Sequence, residues 1–234
     1  MVKMKYALIF LLIVLQHSAF AGAFGPKESR IIFEEGKSSS YNIENSDSKL
    51  AWLVQAWIED ASEKRTDKFH AVPVTFRVEP LSDFSVRILK TGALPEDRES
   101  LFWIISNSLP GGERTQTEKK DSKVNAKISL AYRFKVPMIY RPKSLVNIKQ
   151  QPELLRWYVN AGDKLKVYNP TKHIIQLHNI NINGSLFQGK DISYIVQPET
   201  EITFNVSTKV GNKIQYGVIN DYGAVKNYKG VVEK

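Results

Sequence analysis

A long run in which every second side chain is apolar leaves a chain few ways to fold. Val124, Ala126, Ile128, Leu130, Tyr132, Phe134 and Val136 are all apolar, and the residues between them up to Lys135 are polar or charged, with Ala131 the one exception. Only an extended strand puts alternate residues on one face, so the pattern predicts a strand with one buried side. At thirteen residues it exceeds the usual strand of about 5–6. Proteins normally blunt exposed strand edges, because open backbone groups beside apolar side chains invite aggregation. The stripe therefore reads either as a central strand covered by its own domain or as an edge that lends itself to another chain.

The rest of the chain favours strands too. "RIIFEEG", "KLAWLVQAWIED", "VPVTFRVEP", "FSVRILK" and "SLFWIISNSLP" are β-branched and aromatic runs separated by Ser, Asn, Gly or Pro. Short strands at roughly 8–12-residue spacing with such punctuation indicate sandwiches or barrels. "RPKSLVNIKQQPELLRW" interrupts the pattern with Pro142 and Pro152, and "ELLRW" has room for one helical turn. A domain boundary is expected there, giving an N-terminal domain over 24–145 that carries the stripe and a C-terminal domain over 146–234. The fold class predicted is all-β, two sandwiches in tandem. Gly111–Lys127 is a long polar loop that runs into the start of the stripe.

Lys3 and Lys5 precede the apolar run Tyr6–Leu15, and Ala19-Phe20-Ala21 and Ala21-Gly22-Ala23 follow as overlapping small-x-small sites. This is the pattern of a secretory signal peptide, residues 1–23, cleaved after Ala21 or Ala23. A membrane anchor would need about 20 apolar residues. The chain has no cysteine, so an exported protein of this size must rely on ordinary hydrophobic cores, which points to a bacterial periplasm. The formal charge is +9, and losing Lys3 and Lys5 with the signal leaves +7. Such an excess suits nucleic acid, anionic membrane or an acidic protein partner; export argues against nucleic acid.

Catalysis finds little support. There is no G-x-S-x-G, no thiol and no glycine-rich phosphate loop after a strand. His173 and His178 lie five apart in a strand-like segment, on opposite faces, which spoils a shared metal site. Trp52, Trp57, Trp103 and Trp157 are expected in the core or between sheets.

"LPEDRESLFW" (Leu94–Trp103) resembles the signature of the periplasmic pilus-assembly chaperones of the chaperone–usher pathway. "SRIIFEEG", "YRP" (Tyr140–Pro142), "VYNPTKHIIQL" and "INDYGA" (Ile219–Ala224) extend the resemblance over nearly the whole mature chain. The resemblance implies two immunoglobulin-like β-sandwiches set at an angle, with no catalytic residue, metal or cofactor. It implies a protein that binds pilus or fimbrial subunits, tip adhesins included, lends part of its seventh strand to complete their unfinished sandwich, and passes them to an outer-membrane usher. Counting back from "YRP", Ile128, Leu130 and Tyr132 match the donated side chains, with Ala126 extending the stripe. The family holds the subunit's C-terminal carboxylate with an Arg of the first strand and a Lys of the seventh. Arg30 matches the first. Pro137 occupies the lysine's place, so that role passes to Lys135, two residues earlier and displaced by roughly 6.5 Å along the same face. Proline also removes an N–H and can mark a bulge that shifts the register. Glu99, Arg141 and Asp221 match an interdomain charge network. Ile105 stands where the family often has Asn. The missing cysteines and moderate loop place the chain with the short-loop class. An exposed apolar edge also leaves self-association open to the free protein, whose oligomeric state the sequence does not fix. The competing readings are an exported immunoglobulin-like adhesive or carbohydrate-binding module and a periplasmic hydrolase.

Overall fold

A computed structural model describes residues 23–111, 130–160, 162–188 and 194–234. The expected signal peptide lies almost wholly outside the described residues, as do Ala126 and Ile128 of the stripe. Nine strands build the first unit: β1 (Phe24–Pro26), β2 (Ile31–Glu34), β3 (Ser39–Asn45), β4 (Trp52–Asp60), β5 (Phe69–Val72), β6 (Thr75–Val78), β7 (Ser82–Lys90), β8 (Ser100–Pro110) and β9 (Tyr132–Arg141). They form a four-stranded sheet in the order β1-β3-β7-β5 and a five-stranded sheet in the order β2-β9-β8-β4-β6. Alternation drives the packing. Trp52, Val54, Ala56 and Ile58 of β4 turn inward against Tyr41, Ile43, Val86 and Ile88 of the facing sheet, while Leu53 and Gln55 face out. Burying one such aliphatic side chain contributes roughly 1.5–3 kcal/mol.

The second unit comprises β10 (Arg156–Val159), β11 (Lys164–Tyr168), β12 (Ile175–Ile182), β13 (Ser185–Gln188), β14 (Ile195–Val196), β15 (Glu201–Ser207), β16 (Lys213–Ile219) and β17 (Val225–Glu233). They run in the order β13-β12-β16-β17-β10-β11-β15, with β14 paired to β12. Trp157, Phe204 and Tyr216 fill their core together with Leu165, Val167, Ile180 and Val218. With no helix beyond two 3₁₀ turns, Lys143–Leu145 and Pro152–Leu154, the described fold is all-β. The helical turn expected within "ELLRW" falls one step early. Pro152 opens it, as its fixed φ allows, and Arg156 already belongs to β10.

The alternation stops at Val136, whereas the strand continues: its described part spans Tyr132–Arg141 and ends within the "YRP" that the resemblance puts at the end of the seventh strand. Val136, Met138 and Tyr140 continue the inward face into the first core. Ile139 of the opposite face is also buried, in a small cluster with Leu101 and Ile174 of the second unit. A strand buried on both sides loses its alternation in sequence, which is why the pattern faded before the strand ended. Pro137 makes no bulge. The antiparallel ladder between β8 and β9 runs unbroken from Ser100 opposite Tyr140 to Ser108 opposite Tyr132, with Pro137 facing Trp103.

Candidate functional site

The two edges of β9 are treated unequally. One edge is paired with β8 from Tyr132 to Tyr140, whereas the other meets β2 only from Met138 to Arg141, in parallel. From Tyr132 to Pro137 that second edge has no strand beside it among the described residues. Backbone geometry says which groups it offers. Arg141 turns its carbonyl toward the β2 side, where the Glu35 N–H donates to it at 2.9 Å. Backbone groups alternate in direction along a strand, so Arg133 and Lys135 direct N–H and C=O outward. Pro137 has no N–H to offer on that side, so it sits there without breaking the β8 ladder.

The apolar face of this segment is half open. Leu130 is 62 % exposed and Tyr132 41 % exposed. Both project from the end of a sandwich whose last inward layer is aromatic. Phe24 stacks on Trp52 at 4.4 Å, Trp52 meets Tyr132 at 5.2 Å, and Phe134 closes the group at 5.9 Å from Tyr132 and 6.0 Å from Phe24. These rings fix the root of the strand while leaving its tip exposed. Sequence reasoning did not find Phe24, because its partners lie far along the chain.

Arg30 and Lys135 share the other face of the sheet, though the structure places them in separate contacts. Arg30 immediately precedes β2 and reaches into the second unit. Its Nη1 donates to Gln176 Oε1 at 3.2 Å and to the Ile219 carbonyl at 3.4 Å, and its Nη2 donates to the Asn220 carbonyl. Burial pulls its pKa down, opposed by Asp221 and Glu99. Lys135 Nζ lies 4.2 Å from the centre of the Trp103 ring and 2.5 Å from Glu63. Trp57 carries Arg65 at 4.5 Å and Arg133 at 5.5 Å. Trp57 and Trp103 are thus half-buried cation platforms on the outer face, whereas Trp52 and Trp157 fill cores as expected. Ile105 lies between Trp57 and Lys135 across the ladder and is fully buried, so an apolar residue fits there.

Glu99, Arg141 and Asp221 do come together. Arg141 Nε donates to Glu99 at 2.5 Å, and its two terminal nitrogens grip Asp221 at 2.7 and 3.1 Å. The second Glu99 oxygen accepts the Ile174 N–H at 2.6 Å. Burial works against the Arg141 charge and is outweighed by Asp221 and Glu99, which hold it protonated above its ordinary range. Burial likewise pushes the Glu99 carboxyl up, against the pull of Arg141. Such a pair is costly to break from one side, since the survivor stays buried and unpaired.

His173 departs from its expected place. It stands before β12 rather than on a strand face, and it is buried, with Nε2 lacking a partner. Burial and the nearby Arg141 charge lower its pKa. His178 is exposed on β12.

Comparison with known proteins joins these features to one family. Residues 23–146 match the family described as pili and flagellar-assembly chaperone, PapD N-terminal domain, and residues 150–230 match the pili assembly chaperone PapD, C-terminal domain. The probable fimbrial chaperone LpfB of Escherichia coli O157:H7 is 29 % identical over 231 residues, spanning 96 % of this chain and 94 % of the relative. Chaperone protein FocC of Escherichia coli is 29 % identical over 210 residues, with 88 % of each chain covered. Among solved structures, the Salmonella enterica SafA pilin in complex with the SafB chaperone superposes with a TM-score of 0.71 at 27 % identity, over 91 % of this chain and 96 % of the matched one. Both sandwiches are matched, and the chain belongs to the PapD family of pili assembly chaperones.

Proposed function

We propose that this protein binds pilus subunits in the bacterial periplasm, completes their fold by lending them the exposed part of its β9 segment, and delivers them to an outer-membrane usher. The observation that carries the reading is the open edge from Tyr132 to Pro137, with Leu130 and Tyr132 exposed on its apolar face. A subunit lacking its last strand exposes an apolar groove and unpaired backbone groups, both costly in water. A donated strand answers both at once, main chain to main chain and side chain to pocket. No nucleotide is needed, because burial itself supplies the driving force. Leu130 and Tyr132 are the described donors. Ile128 and Ala126 would continue the stripe beyond the described residues.

Arg30 is the anchor we assign to the subunit's C-terminal carboxylate, and Lys135 is the second cation, which must exchange Glu63 for the ligand. Glu99, Arg141 and Asp221 act in this reading to hold the two sandwiches in one orientation. The division into 24–145 and 146–234, after removal of a signal peptide, is supported by the separate family matches to 23–146 and 150–230. We read the protein as a binder rather than an enzyme, in keeping with a family of chaperones. Partners of this kind are attested for relatives: the SafB chaperone is solved with a pilin, and the Acinetobacter baumannii CsuC chaperone with a tip adhesion subunit. The family matches favour this reading over an adhesive or carbohydrate-binding module.

Co-expression with a fimbrial subunit encoded beside this chain tests the proposal. A 1:1 periplasmic complex is expected, lost with Arg30→Ala and weakened at least tenfold by Leu130→Asp. A Leu130→Asp protein that protects the subunit fully would overturn the strand-donation assignment.

A further inference from the structure

Among the described residues, the Arg30 side chain makes no hydrogen bond to its own sandwich. Its three side-chain hydrogen bonds among the described residues all end on one corner of the second unit: the Gln176 side chain and the carbonyls of Ile219 and Asn220. That corner is a single structural unit, because Gln176 of β12 is registered directly opposite Ile219 of β16. All three acceptors are neutral. Among the described residues no carboxylate pairs with Arg30, and nearby Asp221 is committed through both oxygens to Arg141. A guanidinium has five N–H groups. Nη1 donates to Gln176 and Ile219 and Nη2 to Asn220, so the Nε–H makes no hydrogen bond among the described residues. The Nε edge is one of the sides on which a guanidinium meets a carboxylate.

We propose that Gln176, with the Ile219 and Asn220 carbonyls, is the positioning cradle through which the second sandwich presents the free edge of Arg30 to a carboxylate ligand. The inference rests on the anchor role assigned to Arg30 above and adds what makes that role work. An unrestrained arginine must be immobilised when it binds, whereas a cradled one has already lost that freedom, and neutral acceptors orient the charge without cancelling it. Gln176 is the one side chain in the cradle, and hence the one part that substitution can remove.

The test compares two forms of one short synthetic peptide of alternating apolar and polar residues, one ending in a free carboxylate and one in an amide, titrated into the mature full-length protein. The readout is the preference for acid over amide, which a general loss of fold or of groove contacts does not change selectively. Gln176→Ala is expected to lower the preference by about three- to tenfold, the equivalent of one side chain left to be ordered on binding. Gln176→Glu keeps the size but sets an anion against Arg30, and should lower it further; it also serves should the alanine variant fold poorly. Arg30→Ala should abolish the preference. A wild-type protein without preference, or an Arg30→Ala protein that keeps it, overturns the anchor reading itself. Loss in Arg30→Ala with full retention in both Gln176 variants overturns the cradle alone.

Discussion

Phe24 stacks on Trp52 with the two ring planes 15° apart, and the contact sits under the root of β9. Ala23 just before it donates its N–H to Ser46 Oγ at 2.7 Å and accepts the Ser46 N–H at 2.9 Å. The first described residues are therefore a structural part of the donor end rather than a loose tail. Phe24→Ala removes a half-buried ring whose loss should cost about 1–3 kcal/mol, somewhat below the figure for a fully buried phenylalanine. Chemical denaturation would measure it, and subunit capture should weaken as well, because Tyr132 loses its backing through Trp52. An unchanged midpoint would show that the ring contributes nothing to the donor end. At this scale legibility divides by how far a residue's partners lie. Glu99, Arg141 and Asp221 could be named from short motifs, and they do meet. Gln176 and Phe24 could not, since each acts on a residue distant in the chain and neither stands in a local pattern. Lys135 was legible as a cation on the polar face of the strand, but not its contacts with Trp103 and Glu63.

As an element, β9 is two strands in series. Met138, Ile139 and Tyr140 are clamped between β2 and β8, and the part before them is clamped on one edge only. Alternation announced the element clearly but stops at Val136, because burial of Ile139 on the far face hides the period, and only the "YRP" motif marked the strand's end. The direction of the backbone groups gives a sharp prediction. Arg133→Pro deletes an N–H on the open edge and leaves the β8 ladder intact, so the protein should fold with a near-native melting temperature yet lose strand donation. Phe134→Pro deletes a donor facing β8 and should destabilise the fold by about 3 kcal/mol or more, as for a proline placed within a hydrogen-bonded element. Arg133→Ala controls for the side chain, which contacts Glu59 at 3.2 Å and the Trp57 ring. Equal damage from the two prolines, read by thermal melting, would mean that the edge from Tyr132 to Pro137 is not free.

Across the whole molecule, the junction between the sandwiches is built around buried charge. The Glu99 N–H donates to the Lys172 carbonyl at 2.9 Å, Arg98 meets Glu199 at 2.8 Å, and Ile139, Leu101 and Ile174 supply a small apolar patch. His173 lies within this junction, in the fields of Arg141 and Asp221 and adjacent to Ile174, whose N–H binds Glu99. Its lowered pKa makes it neutral in the folded state at pH 7. Below pH about 6.5, the ordinary histidine value, the unfolded chain takes up a proton that the folded one refuses. Stability therefore rises with pH between the lowered folded value and 6.5, and falls as the solution is acidified through that window. Glu99 works in the opposite sense. Burial raises its pKa, so above 4.5 the folded state holds the proton longer than the unfolded chain and stability declines as pH rises. The two slopes overlap, and the difference between wild type and His173→Gln separates them. The substitution should flatten the loss of stability between pH 6.5 and 5 while leaving the Glu99 contribution in place. Urea denaturation at half-unit pH steps reads this directly, and the same acid slope in both proteins would assign the loss to other groups than His173.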